Sequence, residues 1–184
     1  MLSTLTQVIP ISSSVPVPTD WEDAYRQYHG NVYRAAYQVT GNAADAEDVL
    51  QTVFLRLWRR TPESANVDNL RSYLYRAAIN ASLDLLRARQ EEKMVQPLDE
   101  IDVADGASGQ DETVMLRSWL RSALAKLNPK HAEMFALRYL QELDNREIAK
   151  IMGTSQAVVA ITLFRIRKQL QNDFKMSSQA RTGK

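Results

Sequence analysis

The chain has 184 residues, no cysteine and a formal net charge of +1; that length holds one domain or two small ones, and the missing thiols exclude a disulfide framework and a thiolate metal site. No apolar run approaches the roughly 20 residues that span a bilayer. The small net charge conceals segregation: residues 20–90 carry 9 basic and 9 acidic side chains, residues 91–112 carry 1 and 8, and residues 113–184 carry 13 and 5.

Residues 1–19 contain three prolines and no charged side chain. They lack the basic start of a signal peptide and read as a disordered tail. Thr19 and Glu22 form a capping-box pair that opens the first helix. Trp21, Tyr25, Tyr28, Val32, Ala36 and Val39 follow at intervals of three and four, the stripe of a helix with one buried face. Gly41 ends that helix and Asn42 caps the next, expected over residues 43–60. Its inward set is Ala46, Val49, Leu50, Val53, Phe54, Leu57 and Trp58, and Pro62 stops it. After a polar loop at 62–67, a third helix is expected over 69–89, with Leu70, Tyr73, Leu74, Ala77, Ala81 and Leu85 inward. Three amphipathic helices with short connections can close one small domain, residues 20–90.

Residues 91–111, rich in Asp, Gly and Ser, show no sustained period and read as an acidic linker. A second helical domain is expected over 112–176, followed by a tail at 177–184. Its first helix carries Val114, Leu116, Trp119, Leu120, Ala123, Leu124 and Leu127. Asn128-Pro129 is a cap followed by proline in the first turn, and starts a helix to about residue 141.

The stretch DNREIAKIMGTSQAVVAITLFRIRKQL, residues 144–170, then reads as helix, tight turn and longer helix. Asp144 and Glu147 form a capping box, and Ile148, Ala149, Ile151 and Met152 follow at helical spacing. Gly153 sits at the reversal, where a positive φ costs glycine little. Ser155 caps the second helix, whose stripe is Val158, Val159, Leu163, Ile166 and Leu170. A small residue four before the glycine and a β-branched residue six after it suit a helix-turn-helix, whose second helix enters the DNA major groove. They also suit a helical hairpin that only packs a core. The fold class expected is all-α, two small helical domains joined by an acidic linker, with no strand alternation and no solenoid repeat.

Two blocks decide between these readings. DAEDVLQTVFLRLWRR at 45–60, with SYLYRAAINASLDLLR at 72–87, resembles sigma region two. LNPKHAEMFALRYLQELDNREIAKIMGTS at 127–155 resembles sigma region four. In this order and spacing the chain resembles bacterial RNA polymerase sigma factors of the extracytoplasmic-function (ECF) group. The resemblance implies a two-domain promoter reader whose partners are core RNA polymerase, promoter DNA and an anti-sigma factor. It implies no enzymatic activity, no cofactor, no metal and no small-molecule substrate, and a cytoplasmic location, at a membrane only through an anti-sigma factor.

Residue roles follow from the same resemblance. Asp45, Glu47, Asp48, Gln51 and Phe54 would face core polymerase, the acids suiting a basic partner surface. Acids in a first turn also simply complement the helix dipole. Arg71, Arg76 and Arg87 would hold phosphates at the minus-ten element, and the Asn80 amide would read a base, since it both donates and accepts. Tyr73 is expected in the core. The acidic linker would thread the polymerase as an RNA mimic, or serve as a solvated tether. For the minus-thirty-five element the candidates are Ser155, Gln156, Thr162 and Arg165, with Arg167 and Lys168 for phosphate. The family pattern places polar and basic residues where this chain has Ala160 and Ile161, which offer apolar contacts to thymine methyls or to a protein. The competing reading is a helix-turn-helix regulator of the response-regulator output type. An enzyme finds no support, for the two histidines, His29 and His131, fall in different domains and no phosphate loop or HExxH pair is present.

Overall fold

The computed structural model describes residues 21–59, 70–95 and 112–182. The tail at 1–19, the loop at 62–67 and most of the acidic linker lie outside these residues. The described residues form α1 (Trp21–Thr40), α2 (Ala43–Trp58), α3 (Leu70–Val95), α4 (Glu112–Lys126), α5 (Pro129–Tyr139), α6 (Asn145–Met152) and α7 (Gln156–Thr182), and no strand.

Local chemistry sets the boundaries. Gly41, at φ +68°, closes α1 and its N–H donates to the Tyr37 carbonyl at 2.7 Å. The Asn42 side chain accepts from the Asp45 N–H and starts α2. Asn128 does the same for α5 ahead of Pro129. Both arms of the capping box are made at α6, and Gly153 ends it at φ +64°. α3 and α7 are longer than the periodicity indicated. α3 continues into the start of the acidic block as far as Val95, and α7 continues past Leu170 to Thr182.

The first core is made by α1, α2 and α3 around Tyr28, Val32, Ala36, Val49, Val53, Leu57, Leu74 and Ala78. The second is made by α4 to α7 around Leu124, Leu127, Phe135, Leu137, Ile148, Val159, Leu163 and Ile166. Val39, Ile79 and Leu83 belong to this second core although they sit on α1 and α3. The two helical units therefore share a seam.

That seam explains why the single stripe expected for α3 was too narrow. Ile79 and Leu83 are fully buried because α3 packs on α1 and α2 with one side and on α4 and α5 with another. The expected stripes also included residues that the packing leaves outside. Trp58 is 69% exposed, and Tyr25, Leu116 and Val158 are each close to half exposed. Tyr73 is half-buried against the first core.

Candidate functional site

On α2 the periodicity divides the acids. Asp45 points inward and is buried, and its carboxylate takes a bidentate pair of hydrogen bonds from the Arg89 guanidinium of α3. Its charge is paired within the first unit. Glu47, Asp48 and Gln51 are exposed. Leu55 and Trp58, both exposed, lie on the same outward side, and half-buried Phe54 meets Tyr25 edge-on at 4.9 Å between centroids. The result is an acidic face with an apolar end, and Trp58 is a member that the sequence stripe had assigned to the core.

On α3, Arg76, Asn80 and Arg87 stand at i, i+4 and i+11 and share one side of the helix, while Arg71 does not. The Arg71 guanidinium lies over the Tyr75 ring at 5.5 Å. Arg87 is paired with Asp84 at 2.9 Å. Arg76 reaches across the seam, where Nε donates to Glu133 Oε1 at 2.6 Å and Nη1 to the Ile151 carbonyl at 3.2 Å. Glu133 is a buried acid in α5, inside a run of six buried residues from Ala132 to Leu137. It was missed in the sequence, where the available signal was an acid standing at a core position.

Elsewhere along the seam, Gln141 Nε2 donates to Gln38 Oε1 at 2.6 Å. The Arg121 side chain of α4 lies over Gly41, where a Cβ would overlap its guanidinium. Burial, with the nearby charge of Arg117, lowers the Arg121 pKa against the opposing effect of Tyr37.

The helix-turn-helix presents α7 outward. Val159, Leu163, Ile166 and Leu170 are buried, so the opposite side carries Ala157, Ile161, Phe164 and Lys168, flanked by Val158 and Arg165. Ile161 and Phe164 are each more than half exposed. No acidic residue occurs between Glu147 and Asp173, and Lys150, Arg165, Arg167 and Lys168 fall in that interval. The predicted contacts do not all share this face. Ser155 Oγ accepts the Val158 N–H at 3.2 Å and so acts as a cap. Gln156 is exposed at the start of α7 and Thr162 is half-buried. Arg167 turns to a groove of about 490 Å³ lined by Trp119, Leu120, Phe135 and Phe174. Arg165 and Lys168 remain on the outward side.

His29 and His131 are exposed on α1 and α5, and no cluster of metal-ligating side chains occurs among the described residues. No single described helix is long and apolar enough to cross a membrane.

Comparison with known proteins agrees with this division. Residues 24–92 match Sigma-70 region 2 and residues 117–170 match Sigma-70, region 4. The chain is 27% identical over 171 residues to the ECF RNA polymerase sigma factor SigE of Mycolicibacterium smegmatis, covering 91% of this chain and 66% of that protein. It is 26% identical over 162 residues to the RNA polymerase sigma factor YlaC of Bacillus subtilis, covering 86% of this chain and 94% of that one. It thus spans just under two-thirds of the first relative and nearly all of the second. The fold is similar to that of the sigma factor RpoE crystallised with the anti-sigma factor NepR from Bartonella quintana, with a TM-score of 0.52, 18% identity, and coverage of 86% of this chain and 98% of that one. The match to region 2 removes the reading of a regulator that has only a helix-turn-helix. With regions 2 and 4 present in order in one chain, this protein belongs to the ECF group of RNA polymerase sigma factors.

Proposed function

We propose that this chain binds core RNA polymerase and directs promoter-specific initiation, with the catalysis supplied by the polymerase. The observation that carries the reading is the pair of sigma regions in one chain, each with an outward face of matching chemistry. Glu47, Asp48 and Gln51, with Leu55 and Trp58 beside them, form the core-binding face, where acids steer a basic partner and the aromatic supplies apolar area. Arg71, Arg76, Asn80 and Arg87 serve the minus-ten element. Arg165 and Lys168 hold phosphates at the minus-thirty-five element while Gln156 and Ile161 meet base edges, the amide suiting adenine and the apolar group a thymine methyl. Ser155, Thr162 and Arg167 act there through capping and packing. An anti-sigma factor is the expected inhibitor, by analogy with the complex described for a chain of like fold. The working location is the cytoplasm.

Run-off transcription with purified core polymerase on a genomic promoter library tests this. Specific transcripts that require the chain are expected, and a chain that neither binds core nor directs initiation anywhere is not acting as a sigma factor. Arg165→Ala should weaken promoter binding, and an unchanged promoter affinity removes Arg165 from the set.

A further inference from the structure

Hydrogen-bonding capacity is spread unevenly along the outward face of α7. Ala157, Ala160, Ile161 and Phe164 stand at i, i+3, i+4 and i+7 and are all exposed, with Val158 beside them. Between Gln156 and Arg165 the single polar side chain is that of Thr162, which is half-buried. Roughly two turns of the helix therefore present carbon alone to whatever lies opposite. Ile161 and Phe164 are the largest side chains of this stripe, 53% and 59% exposed.

An exposed apolar stripe at this spacing also suits a second protein helix. The surrounding charge favours DNA. Residues 148–172 contain four cations, Lys150, Arg165, Arg167 and Lys168, and no acid. Arg165 and Lys168 stand on the outward side with the stripe, so the apolar side chains are carried on a surface that attracts phosphate. In a major groove the apolar group available to such side chains is the C5 methyl of thymine. Ile161 and Phe164 are three residues apart, about 4.5 Å along the helix, against about 3.4 Å between neighbouring bases of one strand. They suit methyls on adjacent base pairs.

We propose that the centre of the minus-thirty-five element is read through C5 methyl groups by Ile161 and Phe164, and that 5-methylcytosine serves there in place of thymine. Thymine and cytosine differ in the major groove by the C5 methyl and by the group at C4, an acceptor in one and a donor in the other. The stripe offers neither a donor nor an acceptor to tell those C4 groups apart, so the methyl carries the distinction. Methylating cytosine at C5 supplies it, and promoter choice by this chain then responds to cytosine methylation. This deepens the reading of α7 as the minus-thirty-five helix and rests on it.

The test uses holoenzyme assembled from the full chain and core polymerase, bound to linear fragments of a promoter found by run-off transcription. Each thymine of the upstream element is replaced in turn by deoxyuridine, which removes the methyl and nothing else. At two neighbouring base pairs the exchange should weaken binding about fourfold each, the size expected for burying one methylene-sized group. At those pairs 5-methylcytosine opposite guanine should bind about fourfold tighter than cytosine. Ile161→Ser should abolish the thymine–deoxyuridine difference at one pair and Phe164→Ser at the other, each with the melting temperature of the parent. Arg165→Ala should weaken every fragment and keep the difference. Equal affinity for thymine and deoxyuridine throughout the upstream element, a result that needs no variant, overturns the methyl reading. So does a difference that survives both serine variants. Serine variants that bind every fragment as the parent does overturn it as well, and turn this face of α7 toward a protein. Initiation from no promoter overturns the sigma reading, whereas normal initiation that ignores the methyls overturns the inference alone.

Discussion

Among the described residues two carboxylates, Asp45 and Glu133, are buried, and each meets an arginine remote in sequence. At Asp45 the arginine is Arg89, in the same unit, so the pair fastens α3 to the first turn of α2. Asp45 also lies where the positive end of the α2 dipole favours an anion. Asp45→Ala is therefore expected to destabilise the protein by about 2 kcal/mol, below the range for fully buried pairs because Arg89 is partly exposed. Core-polymerase affinity should hold wherever the variant is folded. Asp48→Arg should do the reverse, with an unchanged melting temperature and weaker core binding, since Asp48 is exposed and makes no contact that the fold depends on. Calorimetry and a core pull-down on both variants separate the roles, and a loss of core binding in Asp45→Ala at a temperature where it is folded would return Asp45 to the interface. In the sequence the two acids look alike, both standing in the opening turns of one helix. Their difference arises from the return of Arg89, 44 positions further along the chain, to Asp45, which spacing along one helix cannot reveal.

At the scale of the element, α6 and α7 were the most legible parts of the chain. The capping box, the left-handed glycine and the buried set Ile148, Val159, Leu163, Ile166 and Leu170 all follow from local rules, and the structure realises each. The extension of α7 was not legible, because its order comes from a neighbour. Phe174 packs edge-on against Trp119 of α4 with centroids 4.9 Å apart. Ser155 shows how an element-level role can resemble a contact. Its hydroxyl caps α7, so Ser155→Ala should cost about 1 kcal/mol of stability. Aspartate caps equally well, so Ser155→Asp should keep the melting temperature of the parent. Its carboxylate would nevertheless stand at the end of α7 proposed to meet DNA and would repel phosphate there. Thermal melts and a minus-thirty-five duplex titration should show stability kept and affinity lost. Affinity kept in Ser155→Asp would place this end of α7 away from the DNA backbone.

At the scale of the molecule, the decisive feature is that α3 serves two cores. Composition and periodicity located both units but treated α3 as a helix with one inward face. The sequence does contain Ile79 and Leu83, but nothing local says that a second unit covers them, and Glu133 is equally silent about Arg76. Coupling between the units has a thermodynamic consequence. Ile79 is fully buried in the core of the C-terminal unit while its backbone belongs to the N-terminal one. In the parent, unfolding either unit strips apolar cover from the other, so one cooperative transition is expected. Ile79→Ala removes about 2–5 kcal/mol of packing at that junction. Leu57→Ala removes a comparable amount from the first core, away from the seam. Both variants should melt lower, but only Ile79→Ala should split the calorimetric trace in two, because only it weakens the contact through which one unit senses the other. A single transition in Ile79→Ala, shifted as in Leu57→Ala, would mean that the seam adds stability without coupling the units. Partition of the cost between the two outcomes is set by burial: a side chain wholly inside one core lowers that core, whereas one that bridges two cores also lowers their cooperativity.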